Sequence, residues 1–172
     1  IFAALPKELP APLFIVQHIP AEFSNSLTKR LSSKNGPRVV VAGDEQRAEK
    51  GTAYLAPGGR HLKLAWKGAS SLLMRLSDES PVHFVKPSAD VLFKSAADCL
   101  GANAMGIVLT GMGADGAAGA KAIRHAGGEV LVQDEQSSLA FSMPRSVIEA
   151  GAASKILPLE SIAEQIVRFL EE

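Results

Sequence analysis

Short apolar runs alternate with stretches of helical period over most of the chain. Leu13 to Val16 is a continuous apolar run leading into Gln17 and His18, and Arg38 to Val41 is a second such run. Both read as buried strands. Between them Phe23, Leu27 and Leu31 recur at every fourth position, which predicts a helix over Ala21 to Ser33 with one apolar face. Ile1 to Leu5 reads as the tail of a helix stopped by Pro6. Further on, Ser88 is placed to start a helix running to Leu100, followed by strand at Ala104 to Thr110, helix at Gly116 to Ala126 and strand at Glu129 to Gln133. That order is a βαβ unit. Ser142 and Pro144 open another helix that closes near Gly151. Ser161 and Glu164 have capping-box spacing ahead of a last helix carrying Ile162, Ile166 and Phe169. The pattern predicts an α/β fold, a doubly wound and mostly parallel sheet with helices on both faces, with residues 1–172 as one domain. The middle of the chain is different. Thr52 to Ala56, His61 to Trp66 and Ser71 to Leu76 are separated by Pro57-Gly58-Gly59 and Lys67-Gly68, the punctuation of hairpins, so a small antiparallel portion is expected there.

Composition narrows the functional classes. Eighteen basic residues balance eighteen acidic ones, so no net field draws a polyphosphate backbone and nucleic acid is not an expected partner. No apolar run approaches the roughly 18 residues of a membrane-spanning helix, so membrane insertion is not expected either. The single cysteine, Cys99, has no internal disulfide partner and no neighbours at zinc-site spacing, which fits a reducing cytoplasm and no structural metal. The chain opens on Ile1 without a signal-peptide pattern, and a preceding segment is expected.

Candidate chemistry concentrates at Thr110-Gly111-Met112-Gly113-Ala114-Asp115-Gly116, between the best strand and the best helix. Gly111, Gly113 and Gly116 satisfy G-x-G-x-x-G, and Asp134 ends the next strand, near where a dinucleotide-binding fold places its ribose-binding acid. Asp115 opposes that assignment, because its charge would lie beside a pyrophosphate that the helix N-terminus is meant to hold. A second alternative is a tight glycine turn in which Asp115 only caps the helix that follows. The third gives Asp115 a partner. In an open parallel sheet ligands bind beyond the carboxyl ends of the strands, and His18 and Asp115 both follow predicted strands. A histidine there can serve as general base for a hydroxyl nucleophile when a carboxylate holds its other ring nitrogen. His18 alone would read as a strand-end histidine satisfied by the backbone. His61, His83 and His125 read as surface residues, and the four histidines suggest no metal site.

Family resemblance adds to this pair. Gln17-His18-Ile19-Pro20 with Phe23, Ala53-Tyr54-Leu55-Ala56-Pro57-Gly58, Lys86-Pro87-Ser88-Ala89-Asp90-Val91-Leu92-Phe93, Leu109 to Gly116 and Phe141-Ser142-Met143-Pro144-Arg145 occur in this order. Together they resemble the catalytic domain of bacterial chemotaxis protein-glutamate methylesterases over nearly the whole chain. The resemblance implies a serine hydrolase of the cytoplasm, without a cofactor, that removes methyl esters from chemoreceptor glutamates and deamidates receptor glutamines. It also implies a receiver domain upstream. By motif position His18 corresponds to the catalytic base, Asp115 to the acid that orients it, the Met112 N–H to an oxyanion donor and Arg145 to a residue lining the receptor-facing cleft. The Met112 side chain by itself reads as core and Arg145 as helix surface.

One element of that family is not matched. Its nucleophilic serine lies in a glycine-rich strand-to-helix turn, and Ser24, Ser26, Ser88, Ser137, Ser138 and Ser142 all fall at helix starts, helix surfaces or loops. The nucleophile is therefore expected upstream, and this polypeptide alone is expected to be inactive, with an unpaired sheet edge where a central strand belongs. Two rival functions stay open, a dinucleotide-binding enzyme and a non-catalytic receptor-binding module.

Overall fold

The computed structural model describes residues 1–32 and 36–171. The chain forms two compact units, one of residues 1–81, 85–87 and 163–172 and one of residues 82–84 and 88–162.

In the first unit, β1 (Leu13–Ile15), β2 (Arg38–Val41) and β4 (Thr52–Leu55) form a parallel sheet in the order β1-β4-β2, with Leu13 beside Ala53 and Val39 on its other side. The central strand is the most buried of the three. Ala53, Tyr54 and Leu55 are fully buried, as expected for a parallel strand covered on both faces. The antiparallel excursion expected from the hairpin punctuation is present: β5 (His61–Lys67) pairs along its whole length with β6 (Ser71–Ser77). A third strand, β3 (Gln46–Arg47), adds to β6 and was not foreseen, since two residues carry no periodicity. Phe2–Ala4 form a single 3-10 turn where a helix tail was expected.

The helix expected over Ala21 to Ser33 is divided, and Ser33 lies outside the described residues. Ala21–Phe23 make a 3-10 turn and α1 covers Ser24–Ser32. Its inward residues are Ser24 and Thr28, while Phe23 is 54% exposed. The apolar stripe misled because Ser24 faces inward to accept the Gly58 N–H at 3.2 Å, and Thr28 donates to the Asn25 carbonyl at 3.0 Å.

The second unit contains α2 (Ala89–Leu100), β7 (Met105–Val108), α3 (Ala117–His125), β8 (Glu129–Gln133), α4 (Ser142–Glu149) and β9 (Lys155–Leu157). Its sheet is parallel in the order β7-β8-β9. Val108, Ala120, Ile123, Val130, Val132 and Val147 form its core; fully burying one such Val or Ile side chain contributes roughly 1.5–3 kcal/mol. β9 was not foreseen, being a three-residue strand before Pro158. The last helix, α5 (Leu159–Glu171), starts two positions before the expected Ser161 cap. The Ser161 N–H instead donates to the Pro158 carbonyl at 3.0 Å, so Pro158 sets the helix start.

Helices α2 and α3 approach closely at Gly119. A Cβ there would lie 2.5 Å from the Phe93 Cβ and 3.0 Å from the Asp90 Cα and carbonyl oxygen. Only glycine permits that distance, and it is what lets the N-terminal turns of the two helices exchange side-chain caps.

Candidate active site

His18 belongs to the first unit and follows the carboxyl end of β1. It is half-buried. The main chain places it: Ile19 N donates to the Gln17 carbonyl at 2.9 Å, a tight turn with His18 at its apex. The Pro57-Gly58 loop, which follows the carboxyl end of the neighbouring strand β4, supports that turn from beneath. A Cβ on Gly58 would lie 2.4 Å from the Ile19 carbonyl oxygen and 2.6 Å from the Ala21 nitrogen.

Asp115, Met112 and Arg145 belong to the second unit. Asp115 is 2% exposed in the loop between β7 and α3. Its Oδ1 accepts from Ser88 Oγ at 2.6 Å and from Asp90 N at 3.1 Å, and its Oδ2 accepts from Ala89 N at 2.7 Å. Asp115 thus caps α2, whereas the capping alternative expected it to cap the helix that follows it. It takes up the first amides of α2. Asp90, in the first turn of α2, performs the reciprocal service: its Oδ1 accepts from Gly119 N in α3 at 2.6 Å, and its Oδ2 lies 3.0 Å from His83 Nε2. Two buried carboxylates therefore sit each at the N-terminus of the other's helix, where the peptide dipoles and unpaired N–H groups stabilise negative charge.

The loop that carries Asp115 is tied down around Met112. Gly111 N donates to the Ala140 carbonyl at 2.9 Å, and Gly113 N donates to Ser142 Oγ at 3.0 Å. Ser142 Oγ in turn donates to the Gly111 carbonyl at 3.0 Å. Between these two fixed amides, Met112 forms no hydrogen bond among the described residues. Its side chain is 83% exposed, which corrects the core assignment for that methionine. Arg145 is on α4, next to this loop in the chain of contacts through Ser142. It pairs with Glu135 at 3.2 Å and lies 5.5 Å from the Phe141 ring centre, on an exposed surface.

The dinucleotide alternative fails on the same geometry. The N-terminal amide of α3 that would hold a pyrophosphate is occupied by the Asp90 carboxylate. Asp134, the candidate ribose acid, accepts instead from Ser137 N at 2.9 Å and Ser137 Oγ at 2.6 Å. His61 also corrects its surface assignment: it is fully buried with Nε2 3.1 Å from the Ser80 carbonyl oxygen. His83 is half-exposed and joined to Asp90, and His125 is exposed. Among the described residues no group of three or more His, Cys, Asp or Glu could hold a metal ion, and no helix is long and apolar enough to cross a membrane. The available serines are engaged in local structure. Ser26 donates to the Phe23 carbonyl, Ser137 to the Asp134 carboxylate, Ser138 to the Asp134 carbonyl and Ser142 to Gly111, while Ser24 holds Gly58 and Ser88 holds Asp115.

Residues 1–166 match the family model described as CheB methylesterase. The chain belongs to the CheB methylesterase family. It is 42% identical over 171 residues to a protein-glutamate methylesterase/protein-glutamine glutaminase of Archaeoglobus fulgidus, covering 99% of this chain and 49% of that protein. It is 44% identical over 171 residues to the protein of the same name from Bordetella parapertussis, covering 99% and 48%. The chain therefore spans about half the length of these curated relatives. The crystal structure of the Thermotoga maritima CheB methylesterase catalytic domain superposes with a TM-score of 0.95 at 36% identity, covering 98% of this chain and 88% of that one. The CheB fold thus accounts for the parallel sheets flanked by helices and for the small antiparallel sheet. Sequence reasoning missed Ser88 and Asp90 as members of the Asp115 network; their place in the Lys86-Pro87-Ser88-Ala89-Asp90 motif was the available signal.

Proposed function

We propose that residues 1–172 act as one catalytic domain that hydrolyses methyl esters of glutamate side chains on chemoreceptors, and deamidates receptor glutamines, by a Ser-His-Asp mechanism. Membership of the CheB family is the observation that carries this reading. His18 is the general base and Asp115 the carboxylate that orients it. The nucleophilic serine is supplied from outside these residues, in keeping with the structural engagement of the serines described above. The serine oxygen attacks the ester carbonyl as His18 takes its proton. The negative charge that develops on the carbonyl oxygen is received by the Met112 N–H, whose neighbours are fixed and which has no acceptor among the described residues. His18 then returns the proton to the departing methoxide, methanol leaves, and water hydrolyses the acyl-enzyme by the reverse sequence. A preorganised donor at that oxygen is worth about 2.7–4 kcal/mol.

The exposed Met112 side chain and Arg145 border the cleft in which the receptor segment lies. The other half of the relatives' length is assigned to a receiver domain upstream, and the protein acts in the cytoplasm. The test is methanol release from methylated receptor by the intact protein. Asp115→Asn is expected to lower kcat by about 10⁴, the scale of orienter loss in other triads, and His18→Ala by about 10⁶, the scale of losing the base. Wild-type rates in both variants would remove the assignment, and an intact protein that binds receptor without releasing methanol would favour a non-catalytic module.

A further inference from the structure

Resting on that hydrolase mechanism, we propose that Ser88 is a positioning residue for catalysis, holding the Asp115 carboxylate in the orientation its partner histidine requires. Ser88 occupies the N-cap of α2, where a serine side chain ordinarily accepts an N–H from its own first turn. Here it makes no such bond. The amides of Ala89 and Asp90 go to Asp115 instead, one to each carboxylate oxygen, at 2.7 and 3.1 Å. With its usual work taken over, the Ser88 hydroxyl donates to Asp115 Oδ1 at 2.6 Å, in a site where Ser88 is 0% and Asp115 2% exposed.

The two kinds of donor do different things. The amides belong to a helix start and would satisfy any acceptor set before them. The hydroxyl approaches off the backbone and restricts rotation of the carboxyl plane, fixing which oxygen edge remains for an imidazole. The bond spans 27 residues of sequence, so it also ties the loop bearing Asp115 to α2. Helix capping alone does not require it, since Asp115 already caps α2 without Ser88.

A role exercised through Asp115 predicts non-additivity, which general destabilisation does not. In the intact protein, Ser88→Ala removes one oxygen and is expected to lower kcat about tenfold with KM unchanged, the scale of a lost hydrogen bond to a charged group. In an Asp115→Asn background the same substitution should change kcat less than about twofold, because nothing is left to position. Ser88→Cys, a weaker donor of related shape, gives the same comparison should the alanine variant not fold. Equal losses of kcat in both backgrounds, or a wild-type kcat in Ser88→Ala, would overturn the proposal. If Asp115→Asn itself keeps wild-type kcat, the triad assignment has failed instead, and the two failures are told apart by that control.

Discussion

His18 and Asp115 are held by opposite means. The histidine stands on a turn shaped by main-chain contacts, half-buried, with Gly58 pressed beneath Ile19 and Ala21. The aspartate is buried and fixed by donors from Ser88, Ala89 and Asp90. For the proposed base, this turn sets the stretch of main chain that carries the ring. An orienting carboxylate is useful only if it stays charged and does not rotate, and that calls for buried donors. Chemistry and stability should accordingly separate at His18 and coincide at Asp115.

The largest effect expected is on stability at Asp115. Asp115→Ala strands a buried hydroxyl and two buried amides and should cost about 3 kcal/mol in urea denaturation, whereas His18→Ala should cost less than about 1 kcal/mol. Similar losses in the two variants would break the contrast. A smaller effect is expected from Gly58→Ala. Its Cβ would meet main chain rather than a movable side chain, so the Ile19–Ala21 turn must shift, at about 1–3 kcal/mol, with a fall in kcat because His18 moves with it. A stability loss with unchanged kcat would show that this turn does not place the base.

The smallest effect belongs to the antiparallel sheet. The hydrogen bond from Lys63, and then its charge, hold the Glu79 carboxyl below the usual carboxylate range. Such a depressed group contributes stability above that range and loses it as pH falls through it. The pair is exposed and screened, so Glu79→Gln should leave Tm unchanged at neutral pH and methanol release at wild-type rate. A measurable fall in methanol release would give this sheet a part in the site that the contrast denies it, whereas a fall in Tm would show only that the pair is screened less than its exposure implies.

The sheet strands and crossover helices were legible because buried parallel strands are continuous apolar runs and their helices keep a 3.6-residue period. β3 and β9 were not, since two or three residues show no period. The Phe23 stripe misled because polar Ser24 and Thr28 took the inward face by hydrogen bonding. His61 was misplaced for a similar reason, since its ring is buried against a carbonyl partner, Ser80, 19 residues away that no local pattern announces. The loop around Asp115 was legible as a glycine-rich strand-to-helix turn, but the Asp115 cap on α2 joins distant segments and cannot be read from neighbours in sequence.

The central proposal is that Asp115 orients His18. Histidine-labelled protein examined by ¹⁵N NMR tests it directly, with His83, joined to Asp90, as an internal reference. Asp115→Asn should alter the ring-nitrogen signals of His18 and leave those of His83 in place, while Asp90→Asn should alter those of His83. Unchanged His18 signals in folded Asp115→Asn would contradict the account.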